Sequence, residues 1–184
     1  MRREDDRCRF PAIVFAAVMY HKCIRLDRAE YARVGTICSI TTVVRGRRPL
    51  FSSQHVAEAS VTVLRERAST HRVPVYAYCI MPDHVHLVLG ASPTCDVTSF
   101  VGQFKNLVQR AAWKAGARGK IWQLSFYDHF LRADEDLERV VDYVVNNPVR
   151  RGLAEHWREY PFSGSLVLGD FAREKPDEGF PGSV

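Results

Sequence analysis

The sequence predicts an α+β fold, a ferredoxin-like antiparallel sheet with helices packed on one face and one additional helix near the C-terminus. Three observations predict it. Stretches rich in β-branched residues alternate with stretches at helical spacing, in the order strand, helix, strand, strand, helix, strand, helix. Two of the strands are separated only by Met81-Pro82-Asp83, as a hairpin requires. Glycine or proline stands at the junctions, at Gly46, Pro49, Gly90, Gly116 and Pro148. One face of such a sheet is left for a ligand.

Residues 36–44 are rich in β-branched side chains and end in Arg45-Gly46-Arg47-Arg48-Pro49, a strand followed by a basic turn. Ser52 or Ser53 caps a helix running to about Ser69, with Val56, Ala59, Val63 and Leu64 as its apolar stripe. Residues 73–80 form the second strand, which Pro82 breaks because it lacks a ladder donor. The third strand, 84–89, stops at Gly90. Asp96 caps the next helix, which buries Phe100, Phe104, Leu107, Val108 and Ala111 on one face. Residues 121–132 read as an irregular fourth strand, and Asp134 starts a last helix that Pro148 stops. The domain spans 34–165, after an N-terminal extension, 1–33, and before a C-terminal tail, 166–184.

Bulk properties narrow the class of function. The chain has 184 residues, a net charge of +5 and 46% hydrophobic residues, the make-up of a globular protein that favours a polyanionic partner. Its five cysteines are widely spaced with no Cys-x-x-Cys, which excludes a zinc ribbon or disulfide framework and fits reduced thiols in the cytoplasm. The apolar run 10–19 is too short to span a bilayer, and the acidic residues Glu4, Asp5 and Asp6 precede it where a signal peptide is basic, so no membrane association is expected.

Chemistry concentrates in two places. Alternation along the third strand sends Val85, Leu87 and Leu89 to one face and His84 and His86 to the other, where neutral imidazoles can converge on a metal ion. Spacing alone leaves open whether the pair binds metal or is the polar side of a half-exposed strand. In the last helix Leu137, Val140, Val141 and Val144 form the buried stripe, and Tyr143 and Asn147, four apart, flank it. That tyrosine suits either packing or attack on a phosphodiester, and Asn147 has a carbonyl oxygen to offer a metal.

The stretch Tyr78-Cys79-Ile80-Met81-Pro82-Asp83-His84-Val85-His86-Leu87-Val88 resembles the HUH metal-site strand of the REP-associated tyrosine transposases, relatives of the single-strand insertion-sequence transposases. Three further segments match in the same order. They are Trp122-Gln123 through Phe126-Tyr127-Asp128-His129 to Arg132; then Asp142-Tyr143-Val144-Val145-Asn146-Asn147-Pro148-Val149; then Tyr160-Pro161-Phe162-Ser163. The resemblance implies a metal-dependent endonuclease and strand transferase for single-stranded or hairpin DNA. It implies His84, His86 and Asn147 as ligands of Mg²⁺ or Mn²⁺, and Tyr143 as the nucleophile that forms a covalent 5′-phosphotyrosine. Tyr127 is the competing tyrosine; it sits in a strand without a metal-binding neighbour four residues on.

DNA contacts are expected from Arg45, Arg47, Arg48, Lys105, Arg110, Lys114, Arg150 and Arg151 at phosphates, with Trp122, Phe126 and Tyr127 stacking on unpaired bases. Two rival functions remain open from the residues alone. One is a ferredoxin-like module that binds single-stranded nucleic acid without cutting it, although it would lack the RNP1 pattern. The other is a metal hydrolase that uses water in place of tyrosine. A monomer and a dimer are equally compatible with the sequence.

Overall fold

The computed structural model describes residues 27–132 and 136–167. The apolar run 10–19, Asp134 and the tail beyond residue 167 lie outside the described residues. The elements are α1 (Arg28–Ala32), β1 (Ile37–Val43), α2 (Gln54–His71), β2 (Val75–Met81), β3 (His84–Gly90), α3 (Val97–Lys114), β4 (Tyr127–Phe130), α4 (Leu137–Val145), α5 (Asn147–Arg150) and β5 (Ser163–Gly164). The five strands are ordered β4-β1-β3-β2-β5, and every neighbouring pair is antiparallel. Strands β1 to β4 with α2 and α3 make the predicted ferredoxin-like arrangement.

One face of the sheet carries the main core. Cys38 and Ile40 of β1, Tyr78 and Ile80 of β2, and Val85, Leu87 and Leu89 of β3 pack there against α2 and α3. The stripe of α2 is rotated from the expected one: Val56, Ala57, Ser60, Val61, Leu64 and Ala68 are buried, whereas Ala59 and Val63 lie at its flank. Ser60 tolerates burial because its hydroxyl donates to the Val56 carbonyl at 2.7 Å. In α3, Val97, Val101 and Ala112 join Phe100, Phe104 and Val108 in the core, while Leu107 and Ala111 are partly exposed. Asp96 caps that helix as expected, accepting from the Ser99 amide at 2.8 Å.

A bulge at Tyr76 sets the parity of β2. Val75 pairs with Leu89 but Ala77 pairs with Val88, so one extra residue stands in β2. Val75 therefore faces the main core, while Ala77, Cys79 and Met81 face the other side. At the edge, Gly164 lies close to Tyr78; a Cβ there would stand 3.2 Å from the phenol oxygen, a tight contact that Tyr78 would have to yield to by a few tenths of an ångström.

The second face is not open throughout. Helix α4 lies over β2 and β3, with Val144 and Val145 buried and Leu137, Val140, Val141 and Tyr143 packed at the margin of a second cluster containing Ala77, Cys79, Met81 and Val88. Asp136 caps α4 by accepting from the Glu138 amide at 2.9 Å. Pro148 does not end this helix. The break falls at Asn146, and Pro148 sits in the first turn of α5, where its missing N–H costs nothing.

The expected fourth strand is shorter than 121–132. Only Tyr127–Phe130 forms a ladder with β1; upstream a single antiparallel bridge joins Trp122 to Val44, with the Gln123 amide donating to the Val43 carbonyl, and the chain between makes other bonds. The Ile121 amide donates to Gln109 Oε1, and Lys105 Nζ donates to the carbonyls of Gln123 and Ser125, each at 3.1 Å. The end of the N-terminal stretch is part of the fold: Tyr31 of α1 is buried, donates to Asp128 and meets Phe130 edge-on.

Candidate functional site

Strand β3 places His84 and His86 on the second face, and both imidazoles converge. Their Nε2 atoms stand 3.0 Å apart with the ring planes at 89°. Each outer nitrogen has its own partner. His84 Nδ1 lies 2.6 Å from Asp83 Oδ1, and His86 Nδ1 lies 2.9 Å from Thr41 Oγ1. Thr41 reaches His86 because β1 and β3 place the two residues directly opposite one another. Asp83 is held in the β2–β3 turn, where its carbonyl accepts from the Val44 amide and the Pro82 carbonyl accepts from the Phe51 amide, each at 2.9 Å.

The electrostatics keep Asp83 ionised and favour a neutral His86. The His84 hydrogen bond, assisted by Arg47 at 3.0 Å, holds the Asp83 carboxyl down at about 2. Desolvation pushes His86 well below the ordinary imidazole value, and the charges of His84, Arg150 and Arg151 act in the same direction. A neutral imidazole is the form that binds a metal.

On the same side of the sheet, α4 carries Tyr143, and Asn147 opens α5. Asn147 is buried, and its Nδ2 donates to the carbonyls of Tyr143 and Val144 at 3.3 and 3.2 Å. Those bonds occupy the amide hydrogens and leave Oδ1 as its electron-rich end. Tyr143 is half-buried, and the Arg150 guanidinium stacks 3.8 Å from its ring centre while donating to the Tyr143 carbonyl. Burial raises the Tyr143 phenol above its ordinary value, and the charges of Arg150 and Arg151 oppose that rise. Arg150 thus acts on both Tyr143 and His86.

The donor chemistry fits a divalent ion. Two nitrogens each about 2.1 Å from one cation, at a right angle, lie about 3.0 Å apart, the spacing of the two Nε2 atoms. Among the described residues no group of three or more His, Cys, Asp or Glu is arranged to hold a metal ion, and the Asn147 amide oxygen is a donor of another type.

The remaining candidates divide. Tyr127 pairs opposite Thr41, which pairs opposite His86, so the three share one face in a row across β4, β1 and β3. Arg150 and Arg151 adjoin the site. Arg47 is turned to Asp83, and Arg48 donates to the carbonyls of Arg45 and Lys120, each at 3.3 Å. Arg110 and Lys114 are exposed on α3, across the sheet from the histidines. Trp122 is buried: it packs on Phe51 and Phe104 and donates to the Lys105 carbonyl at 2.8 Å. It presents no free face to a base, and Lys105 braces the loop around it. Phe126 is half-buried against the main core.

Sequence reasoning missed Thr41 and Asp83. Asp83 adjoins His84 in the chain, a signal that could have found it; Thr41 is visible only through strand register.

Among the described residues no helix is long and apolar enough to cross a membrane. A REP-associated tyrosine transposase of Escherichia coli K12 is 25% identical over 138 residues, covering 74% of this chain and 79% of that protein. A Haemophilus influenzae protein assigned by name to the same kind is 24% identical over 140 residues, covering 70% of this chain and 79% of that protein. A solved structure of a REP-associated tyrosine transposase bound to a REP hairpin shares the fold, with a TM-score of 0.61 and 24% identity over 78% of this chain and 81% of that one. The family described as IS200-like transposase matches residues 35–147, more than half of the chain, and the chain belongs to that family.

Proposed function

We propose that the chain is a metal-dependent endonuclease and strand transferase for single-stranded DNA, acting at hairpin-forming repeats through a covalent 5′-phosphotyrosine on Tyr143. The observation that carries this reading is the convergence of the His84 and His86 Nε2 atoms, and it is supported by the packing of α4, which bears Tyr143, on the same sheet face. Family membership and the hairpin bound by the related solved protein support the substrate class.

In this reading His84, His86 and Asn147 hold Mg²⁺ or Mn²⁺, which when bound polarises the scissile phosphate. Tyr143 Oη attacks phosphorus, and the bond to the leaving 3′ oxygen breaks. The phenol loses its proton, the leaving oxygen gains one, and the products are a free 3′-OH and a 5′-phosphotyrosine. Arg150, stacked on Tyr143, favours the phenolate, and with Arg151 it offers charge to the phosphate. Attack by another 3′-OH reverses the step and joins strands. In this reading Tyr127, in the row beyond Thr41, stacks on an unpaired base.

The test is incubation of the protein with end-labelled hairpin oligonucleotides carrying single-stranded flanks, plus Mg²⁺ or Mn²⁺, on a denaturing gel. A protein–DNA adduct is expected, lost on addition of EDTA and lost in Tyr143→Phe, with DNA binding retained. Cleavage by Tyr143→Phe without an adduct would establish the water-using hydrolase instead; binding without any cleavage by the wild type would leave a binding module.

A further inference from the structure

Residues 97–127 contain no aspartate or glutamate, and Lys114, Arg118 and Lys120 stand exposed at the end of α3 and in the loop after it. Residues 34–57 lack acidic groups too, and they hold the basic turn of Arg45, Arg47 and Arg48. The fold joins the two segments. The Arg45 amide donates to the Ile121 carbonyl at 2.7 Å, and the Arg48 guanidinium donates to the Lys120 carbonyl at 3.3 Å. Arg47 of the same turn is bonded to Asp83, so this basic surface begins beside the histidines and runs away from them to the end of α3.

Trp113 stands in that surface. It belongs to neither apolar cluster and is 43% exposed. Its indole is nevertheless held, because Nε1 donates to the Gly119 carbonyl at 2.9 Å. The loop bends back to make that bond through Gly116 and Gly119, whose φ angles of 95° and 67° to 71° class are reached readily only by glycine. Lys114 follows Trp113 in the chain, and Arg118 and Lys120 flank the carbonyl that holds it. An aromatic ring fixed by its polar edge, with cations beside it and no carboxylate in the segment, suits one ligand chemistry: an unpaired base stacks on the ring, and the phosphates on either side meet the cations.

We propose that the end of α3 and the loop after it form a second DNA contact, away from the cleavage site, in which Trp113 stacks on an unpaired base and Lys114, Arg118 and Lys120 neutralise the phosphates around it. The proposal rests on the single-stranded DNA reading above and extends it. The basic turn links the two places, so one strand that passes the histidines continues along Arg48 and Lys120 to Trp113.

The test uses the full chain in EDTA with hairpin oligonucleotides that carry 5-iodouracil at successive unpaired positions. After irradiation, mass spectrometry identifies the crosslinked peptide, and at least one unpaired position is expected to crosslink to Trp113. This readout needs no variant. In fluorescence anisotropy, Trp113→Leu is expected to weaken hairpin binding about 5- to 20-fold, and Trp113→Phe to retain most of it. Lys114→Gln and Arg118→Gln are each expected to reduce the slope of log Kd against log salt by about 1. A fully paired duplex, which has no base to offer, is expected to bind the wild type and Trp113→Leu alike. No crosslink to Trp113 from any unpaired position, or equal weakening of hairpin and duplex by Trp113→Leu, overturns the proposal. A Tyr143 adduct formed in Mg²⁺ without a Trp113 crosslink leaves the cleavage reading standing and removes this contact. A Trp113 crosslink without any adduct supports the contact and removes the cleavage reading.

Discussion

Replacing Asp83 with asparagine removes one negative charge from between Arg47 and His84 while keeping the shape of the side chain. In the folded protein this carboxyl titrates at about 2 against an ordinary value of 3.8, first because of its hydrogen bond to His84. A difference of that size corresponds to about 2 kcal/mol of folding stability. The side chain is 23% exposed, and water screening at that exposure reduces the expected loss to about 1–2 kcal/mol. The sign follows from the direction. A folded-state value below the unfolded one contributes fully above about pH 4, loses about half its worth by pH 3 and most of it by pH 2. Urea unfolding of wild type and Asp83→Asn at pH 7, 5 and 3 measures the difference. It is expected to be constant between pH 7 and 5 and to shrink by about half at pH 3. A stability loss at pH 3 equal to that at pH 7, or none at pH 7, refutes the reasoning and means that Asp83 only fills space.

Other outcomes follow from single contacts. Arg150→Met removes a charge that lowers the Tyr143 phenol, so the pH profile of adduct formation is expected to move to higher pH; an unmoved profile separates Arg150 from the nucleophile. Tyr31→Phe removes the donor to Asp128 and is expected to destabilise by about 1.5–3 kcal/mol, read as a lower urea midpoint. Thr42→Val replaces a buried hydroxyl that has no partner among the described residues and is expected to raise stability by about 1 kcal/mol in the same assay. Cys38 and Cys79 are buried, and desolvation pushes both thiols up to about 12. Peptide-mapped alkylation at pH 8 is expected to leave both unmodified until denaturant is added.

Local periodicity made the catalytic candidates legible. Period-two alternation placed His84 and His86 on one face and Val85, Leu87 and Leu89 in the core, as observed. The four-residue spacing of Tyr143 and Asn147 was readable too, and the structure shows its outcome, an Asn147 amide bonded to the Tyr143 carbonyl. What escaped reading depends on partners distant in the chain. Thr41 reaches His86 through strand register across 45 positions. Trp122 looks like an exposed stacking residue until Phe51 and Phe104 are seen to enclose it. The stripe of α2 shifted because a buried serine can satisfy itself within its own helix, which apolar counting does not register. The bulge at Tyr76 left no mark in a continuous apolar run, since both faces of β2 are buried there.

The sheet divides the molecule into a side that carries the larger core and a side that carries the candidate site. Helices α2 and α3 close the larger cluster, whereas the histidines, Thr41, Tyr143 and Asn147 belong to the other face with its smaller cluster. Changes to the working side therefore leave most of the folding energy in place. Substitutions at the candidate site can abolish a function while the protein still folds, so loss of activity and loss of the protein are separate events.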